Sequence, residues 1–361
     1  MTLIVSNEDL ERVLSMEDAL TVLESLYHDY GEGRAVSGPR VDVVAASSTP
    51  DGERAHYGLK TMTGLFPRAE VGAIRLNSDL VTWPVQDGLK RRVKVPAAPG
   101  GRWCGLVLLF STRSGEPLMI CPDGYLQRTR VAAANGLGAR YLARPDAKYV
   151  GLLGAGWQAE GQLLAFCAVR PIERVRVYSP NADHCETFAS RMTRRLGIPV
   201  QAVGSPAAAM ADADLVAAAT NTLDPVLRPE WLRPGTHGSA IKVQEVDADL
   251  LRRCDRIAFH TLKNVKQLTV TPDAEPDNPE QDRGWWQERP ADLWSRLVDL
   301  SQLATGQASG RANDQEITFF MNNIGMGLQF AAVGAAAYER ARAAGLGHEL
   351  PTDWFTETVH P

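Results

Sequence analysis

The sequence predicts an α/β protein whose second half folds as a doubly wound parallel sheet. Between residues 149 and 260, short apolar runs with strand character alternate with helical segments, which is typical of a parallel sheet covered by helices on both faces. The chain has 361 residues, of which 44% are apolar and 22% charged, an ordinary globular composition. At roughly 100–200 residues per domain, this length predicts two or three domains.

The charge balance and the cysteines narrow the classes of partner. With 38 Lys+Arg against 43 Asp+Glu the net charge is −5, so we expect a small-molecule partner, with no nucleic acid and no membrane. The N-terminus resembles no signal peptide, and the apolar runs are shorter than the ~20 residues of a membrane helix. Five cysteines without a C-x-x-C pair favour a reducing compartment, so we expect a cytoplasmic protein. The histidines are scattered without a metal-binding pair, and no metal is expected.

The first half combines a helix with strands. Ser15 and Asp18 predict a capping box at the start of a helix that ends at Gly31 and Gly33. Runs rich in β-forming residues then predict a mostly antiparallel sheet, with strands at 41–45, 57–62, 72–76, 105–111 and 117–121. Residues 82–102 are rich in turn formers and carry a basic run, which favours a solvated hairpin over the alternative, a lid over a site.

The second half begins with a helix predicted over 130–142, which ends before Pro145. Parallel strands are predicted at 149–153, 174–178, 200–203, 215–219, 237–243 and 256–260, with helices between them. Residues 267–289 are polar and Pro-rich and predict a loop. The Ala-rich segment from Asp314 toward Leu346 predicts a long helix.

A glycine-rich turn between the strand at 149–153 and the next helix has the pattern of a dinucleotide site. The first glycine of G-x-G-x-x-A permits the tight turn, the second lets the backbone approach a pyrophosphate, and the alanine lets helix and strand pack closely. Its strand–turn–helix context strengthens the motif. The predicted cofactor-binding residues here are Gly154, Ala155, Gly156, Trp157, Gln158 and Ala159.

Two further turns are predicted to contact the cofactor. An acidic residue that would accept from the ribose 2′-hydroxyl is missing after the strand at 174–178, where Ser179 and Asn181 stand instead. NADP(H) is therefore permitted but not demanded, and NAD(P)(H) is the expected cofactor. The segment Thr220, Asn221 and Thr222 follows the fourth strand and is an equally good candidate for a cofactor contact or a plain turn.

Several motifs together resemble the ornithine cyclodeaminase and mu-crystallin family. They are the glycine-rich turn and the segments ATNTLDPVL after the fourth strand, GPR at 38–40, GLKTMTGLFP at 58–67 and DGYLQRTRVAAANGLGARYLAR at 123–144. The resemblance covers nearly the whole chain. It implies a homodimer with a substrate-binding and dimerisation domain at 1–125, a Rossmann domain at 126–312, and a C-terminal helix and tail at 313–361 that complete the first domain.

The resemblance also implies site residues. Arg40 and Arg130 match the arginines that bind a substrate carboxylate, and Lys60 matches the active-site lysine, which is predicted to be both catalytic and substrate-binding. Arginine suits this role because its planar guanidinium binds a carboxylate through two hydrogen bonds. Such a clamp would fix the α-carbon of an amino acid against the nicotinamide.

One departure from the family pattern bears on the reaction. Cyclodeaminases of the family carry an aspartate shortly before a motif that here reads Glu245-Val246-Asp247. Counting back places Ser239 at that position, or Lys242 if the alignment shifts, and neither is a carboxylate. If a carboxylate nevertheless takes part, Asp247 and Asp79 are the first candidates.

The sequence therefore predicts an NAD(P)-dependent oxidoreductase acting on the C–N bond of a small α-amino or α-imino acid, such as an imine or ketimine reductase or an amino-acid dehydrogenase. Its expected ligand is a small amino, imino or keto acid. The alternatives are an ammonia-releasing amino-acid cyclodeaminase and a crystallin-like protein that binds NADP(H) and a ligand without turnover.

Overall fold

The computed structural model describes residues 1–86, 88–263, 265–274 and 285–359. The first part of the chain contains helices α1 (Asn7–Val13), α2 (Met16–Gly31) and α3 (Gly124–Leu142). Its strands are β1 (Thr2–Ile4), β2 (Val36–Ser37), β3 (Arg40–Ser48), β4 (Arg54–Phe66), β5 (Val71–Thr82), β6 (Val85–Gln86), β7 (Leu89–Lys90), β8 (Val93–Val95), β9 (Cys104–Ser111) and β10 (Pro117–Pro122).

The second part contains helices α4 (Trp157–Val169), α5 (Ala182–Leu196), α6 (Pro206–Met210), α7 (Ala248–Arg252), α8 (Trp285–Glu288), α9 (Ala291–Trp294), α10 (Leu300–Ala304) and α11 (Gly327–Ala343). Its strands are β11 (Tyr149–Leu153), β12 (Arg174–Tyr178), β13 (Val200–Ala202), β14 (Leu215–Ala218), β15 (His237–Ala240), β16 (Arg256–Phe259), β17 (Lys266–Val270), β18 (Leu297–Asp299), β19 (Thr318–Met321) and β20 (His348–Leu350).

The first sheet is built around three long antiparallel strands, β3, β4 and β5. Within the described residues its order is β17-β3-β4-β5-β9-β10-β1-β20, with β2 on β4 and β8 on β5. Side chains of β4 alternate between a buried inner face, which carries Lys60 and Met62, and an exposed outer face, which carries Leu59 and Leu65. The predicted antiparallel layer is confirmed, and its strands are longer than the sequence predicts.

The second sheet is parallel and doubly wound. Its described strands follow the order β13-β12-β11-β14-β15-β19-β16-β18, and all pairs in it are parallel. Successive residues of β14 pack into different clusters, Leu215 and Ala217 on one face and Val216 and Ala218 on the other. A strand buried on both faces is typical of this fold class, and the predicted α/β architecture is confirmed.

Helices α2, α3 and α11 share one core with the inner face of the first sheet. Leu20, Leu137 and Phe330 from these helices lie in the same buried cluster as Leu109 of β9. Helix α2 begins as predicted, because the Asp18 amide donates to Ser15 Oγ and the Ser15 amide donates to Asp18. None of the helices in the described ranges is long and apolar enough to span a membrane.

The structure differs from the sequence predictions at several elements. Helix α1, capped by Ser6, is absent from the predicted elements. Part of the predicted loop at 267–289 is strand β17, which pairs in parallel with β3, while residues 275–284 lie outside the described residues. The predicted long helix from Asp314 is strand β19 followed by α11, because Thr318–Met321 inserts between β15 and β16. The strand predicted to reach residue 243 ends at Ala240, and strand β18 was not predicted.

Candidate active site

The glycine-rich turn connects β11 to α4 with an open helix N-terminus. Gly154 has φ +104°, and a Cβ there would lie 2.3 Å from the carbonyl oxygen of Ala219, so only glycine fits. A Cβ on Gly156 would meet nothing within 4 Å, which leaves space beside the backbone. Ala159 is completely buried, as close helix–strand packing requires. The turn therefore has the geometry to hold a pyrophosphate against the N-terminus of α4.

The neighbouring residues of this turn differ in exposure. Trp157 is half exposed and packs against the guanidinium of Arg128, which lies 3.8 Å from the ring centroid. Gln158 has a buried Oε1 with no hydrogen-bond partner among the described residues. An unpaired buried acceptor beside an open helix N-terminus is consistent with a ligand that completes the site.

The turn after β12 carries no carboxylate at Ser179 or Asn181. The Asn181 side-chain oxygen accepts from the His184 amide and caps α5. Ser179 is partly buried where β12 gives way to this cap. The side chain predicted to contact the cofactor at Asn181 is thus engaged in capping, whereas no hydrogen bond of the described residues engages the Ser179 hydroxyl.

The turn after β14 is held by a buried carboxylate. Glu245 accepts from the amide of Thr220 at 2.6 Å and from its hydroxyl at 2.8 Å. The other oxygen of Glu245 accepts from the amides of Ile241 and Lys242, and Lys242 Nζ donates to the carbonyl of Thr222. The carboxyl ends of β14 and β15 are therefore tied together at the edge of a parallel sheet where ligands bind in this fold class.

The first sheet presents charged side chains on its inner face. In the strand register Asp42 lies opposite Lys60, and Gly58 lies opposite Asp79. Lys60 is 3% exposed. A Cβ on Gly58 would lie 3.0 Å from Lys60 Cε and 3.7 Å from Nζ, so the lysine side chain folds back over Gly58, toward the strand position of Asp79.

Arg40 is bound by the neighbouring carboxylate. Its Nε and Nη2 donate to the two oxygens of Asp42 at 2.7 and 2.6 Å. Arg40 is the more exposed partner, at 21% against 0% for Asp42. The structure thus places Arg40 on the same face as Lys60, in a two-point ion pair that orients its guanidinium.

Arg130 lies in α3 and is buried, and no carboxylate in the described part of the chain is bonded to it. Its Nη1 donates to Gln329 and its Nη2 to Gln127, at 2.9 and 2.8 Å, and its Nε has no hydrogen-bond partner among the described residues. Burial, followed by the charges of Arg75 and Arg40, lowers the pKa of Arg130 to about 9. A buried cation whose hydrogen bonds within the described residues are to amides is a strong candidate for binding an anionic ligand.

Asp79 lies on β5 and faces inward, on the same side of the sheet as Lys60. It is two residues along the strand from Asn77, the β5 partner of Lys60. Burial would raise its pKa, but the charges of Lys94, Arg92 and Lys60 outweigh burial and lower it. Lys94 Nζ lies 2.6 Å from Asp79 Oδ1, and Arg92 Nη2 donates to Oδ2 at 3.3 Å. Asp79 is therefore ionised and held between cations.

Residues 88–95, termed the strap, cross from the first sheet to the parallel sheet. The Arg92 amide donates to the carbonyl of Asn221 at 2.8 Å, and the Leu223 amide donates to the carbonyl of Lys90 at 2.8 Å. The Lys90 amide donates to Asp224 at 2.9 Å. Strands β6 and β7 form a hairpin as predicted, but the strap is not solvated along its length, because its backbone pairs with the turn after β14.

A model of the ornithine cyclodeaminase/mu-crystallin family matches residues 101–345. The chain belongs to this family. It is 30% identical to Δ(1)-pyrroline-2-carboxylate reductase of Bacillus cereus over 251 residues, which make up 68% of this chain and 74% of that protein. It is 26% identical to alanine dehydrogenase of Archaeoglobus fulgidus over 361 residues, 97% of this chain and 98% of that one.

The family fold extends over nearly the whole chain. The structure of Thermococcus litoralis Δ(1)-pyrroline-2-carboxylate reductase in complex with NADH and L-proline is similar, with a TM-score of 0.77 and 25% sequence identity. The match covers 97% of this chain and 100% of that one. The resemblance inferred from the sequence motifs is therefore confirmed.

At the position of the missing family aspartate, the structure distinguishes the two candidate residues. Ser239 lies within β15, where its Oγ accepts from Asn135 at 2.7 Å in a buried polar chain. Lys242 lies beyond the end of that strand and binds the turn after β14. Asp247 caps α7 by accepting from the Leu250 amide. Of the carboxylates named from the sequence, Asp79 is thus the one that shares a face with Lys60.

Several contributors to the site escaped sequence reasoning. Asp42 binds Arg40, and Arg92 and Lys94 bind Asp79. Two amide side chains, Gln127 and Gln329, contact Arg130 from two helices. The sequence signal for these ion pairs is the basic run of the strap, because cations placed beside a buried strand need a counter-charge.

Proposed function

We propose that this protein is an NAD(P)-dependent oxidoreductase that reduces the C=N bond of a small α-imino acid, or in reverse oxidises the amino acid. One observation carries the proposal: the turn after β14 and the face that bears Lys60 are joined through Arg92, whose amide binds Asn221 and whose guanidinium binds Asp79. We therefore assign the turn after β14 and Lys60, the acid/base candidate, to one site. The similar Thermococcus structure is a complex with NADH and L-proline, which supports the same classes of ligand here.

The residues present fit a dinucleotide. Gly154, the open space at Gly156 and the buried Ala159 form the pyrophosphate turn, and Thr220, Asn221 and Thr222 lie at the adjacent strand end. The bound nicotinamide supplies or accepts the hydride. We propose NAD(H) as the cofactor, with NADP(H) permitted because Ser179 presents no negative charge to a 2′-phosphate.

The substrate is held through its carboxylate. Arg130 offers its unpaired Nε and its cationic charge from α3, and Arg40 adds a second guanidinium oriented by Asp42. A carboxylate clamped between two arginines fixes the neighbouring C=N bond in one orientation. Lys60, buried on the same face, donates a proton to the substrate nitrogen as hydride reaches carbon, and takes it back in the oxidative direction.

Reduction fits this site better than ring-closing deamination. Deamination with cyclisation needs a further group that accepts and returns protons as ammonia leaves. Of the two carboxylates beside Lys60, Asp42 is bound to Arg40. Asp79 is held by two cations in its ionised form, and they lower its pKa. It is therefore a poor proton donor near neutral pH, and Lys60 alone suffices for the single protonation of an imine.

The proposed assembly is a homodimer in the cytoplasm. The outer face of the first sheet exposes a row of apolar side chains, among them Val43, Tyr57, Leu59 and Leu65, and such a patch favours association. Free cysteines such as Cys121, Cys185 and Cys254 are buried as thiols, which suits a reducing compartment.

A substrate panel tests the proposed function. The purified protein is assayed with NADH and NADPH against Δ(1)-pyrroline-2-carboxylate, its six-membered homologue, and pyruvate with ammonia or methylamine. We expect oxidation of reduced cofactor with at least one of these α-imino acids and none with the corresponding imines that lack a carboxylate. Turnover of the carboxylate-free imines at equal efficiency would refute the role of the arginine clamp.

A further inference from the structure

The strap contains one residue that contacts both halves of the site. The backbone amide of Arg92 donates to Asn221 in the turn after β14, at 2.8 Å, while its guanidinium donates to Asp79 on β5, at 3.3 Å. Lys94, two residues on, holds the other Asp79 oxygen at 2.6 Å. A movement of the strap therefore changes the position of cations around Asp79.

Asp79 in turn lies beside the proposed proton donor. It is opposite Gly58 in the strand register, and the Lys60 side chain passes directly over Gly58. Asp79 is buried and ionised. A carboxylate at this position is an electrostatic partner that favours the protonated form of the lysine.

We propose that Asp79 is a positioning residue for Lys60, and that Arg92 and Lys94 of the strap modulate the electrostatic effect of Asp79. Docking of the strap on the turn after β14 thereby sets how strongly Lys60 holds its proton. This inference rests on the proposed function, in which Lys60 protonates the substrate nitrogen. It assigns the strap a role in the reaction, because Asp79 interacts with the cations of the strap as well as with Lys60.

The other charges around the pair are fixed in ion pairs or lie further along the face. On β3, Arg40 is bound to Asp42, the residue opposite Lys60. On β5, Arg75 is bound to Asp123 at 2.6 Å. His56 lies on the inner face of β4, one alternate position beyond Gly58, and Arg130 reaches the face from α3. Since these groups stay in place in strap variants, changes at Asp79, Arg92 and Lys94 isolate the proposed effect.

The test compares charge removals of opposite sign. In Asp79→Asn, Lys60 loses a negative neighbour and gives up its proton at lower pH, so the basic limb of the kcat profile moves down by about 1 pH unit. In Arg92→Met and in Lys94→Met, Asp79 acts more fully on Lys60, and the limb moves up by about 0.5 unit. The double variant Asp79→Asn/Lys94→Met returns toward the wild-type profile, and Arg113→Met, which removes an exposed ion pair with Glu70, leaves it unchanged.

A direct titration separates this inference from the proposed function. In protein labelled with ¹³C at lysine Cε, the Lys60 signal is assigned by its loss in Lys60→Met and followed against pH in the same variants. We expect the same opposite shifts whether or not an imino acid turns over. A Lys60 titration that is unmoved in Arg92→Met and Lys94→Met, or that moves in the same direction in these variants and in Asp79→Asn, overturns the inference. Inactivity toward every imino acid would instead refute the proposed function alone.

Discussion

Lys60 is surrounded by charges contributed by several strands. Asp42 lies opposite it on β3, and Asp79 lies near its side chain on β5. The lysine itself was predicted from a motif, whereas both carboxylates were not assigned from sequence as its neighbours. Their proximity arises from strand register, which pairs residues distant in the chain and which local patterns do not specify.

The lysine is the first residue to test. Lys60→Met should lower kcat by about 10²-fold or more, because the substrate nitrogen loses its proton donor, while NADH affinity stays near the wild-type value. Steady-state kinetics and NADH fluorescence titration measure the two effects. Lys148→Met, which removes an exposed lysine paired with Glu173, serves as the control. Near-normal turnover of Lys60→Met would remove the lysine from the reaction.

We predict that the cofactor preference depends on Ser179. Ser179→Asp should weaken NADPH binding by about tenfold or more through like-charge repulsion, with NADH affected mildly. Binding titrations with both cofactors measure the ratio. Ser190→Asp places the same charge on helix α5 away from the strand end and controls for net charge. An unchanged NADPH affinity in Ser179→Asp would show that this residue does not face the ribose.

At the scale of elements, the sequence predicted those whose signals are local. Strands β11 and β12 match their predicted bounds, because an apolar run bounded by turn residues identifies a buried strand without further information. Strands β17 and β19 were missed, since Lys266–Val270 is polar and Thr318–Met321 is embedded in an apolar segment that also fits a helix. Their strand character comes from the partners they meet in the folded chain.

The strap is less exposed to solvent than its sequence predicts. Its basic residues are those of a solvated face when taken alone, yet Arg92 and Lys94 are only 23% and 32% exposed. The difference has two causes. Asp79 supplies a buried counter-charge, and backbone groups in the turn after β14 form hydrogen bonds with the strap. Neither is apparent from the strap sequence itself.

We predict that the docking of the strap contributes to cofactor binding. Asp224→Ala removes the acceptor of the Lys90 amide, a net loss of about 0.5–1.5 kcal/mol, so the Kd for NADH should rise by about two- to tenfold with a smaller change in kcat. Isothermal titration calorimetry measures the Kd. Glu173→Ala, in an exposed ion pair of the same domain, is the control, and an equal effect in both variants would contradict a specific role for the strap.

At the scale of the whole molecule, the two faces of the first sheet differ in the side chains that they carry. Its inner face carries the charged site, and its outer face exposes Val43, Leu59 and Leu65, at 47%, 41% and 47%. The alternation along β3 and β4 produces both faces at once, because neighbouring side chains point to opposite sides. The resemblance to the family predicted a dimer, and the outer face is the surface on which we place it.

The proposed dimer is tested by its mass. The 39.3-kDa chain should elute with about twice that mass in light scattering, and Val43→Glu/Leu65→Glu should shift it toward a single chain, since two carboxylates would lie in an apolar interface. Val359→Glu, an exposed apolar residue outside the sheet, should leave the mass unchanged. A wild-type protein with the mass of one chain would contradict the assignment.

The central claim, net reduction of an α-imino acid, is tested most directly by redox stoichiometry. The protein is incubated with NADH and the most active imino acid from the panel, and separately with L-ornithine and catalytic NAD⁺, while absorbance at 340 nm and the amino acid products are followed. We predict one NADH oxidised per amino acid formed in the first reaction and no sustained proline formation in the second. Continuous conversion of L-ornithine to proline and ammonia with no net change in NADH would contradict the claim and identify a cyclodeaminase.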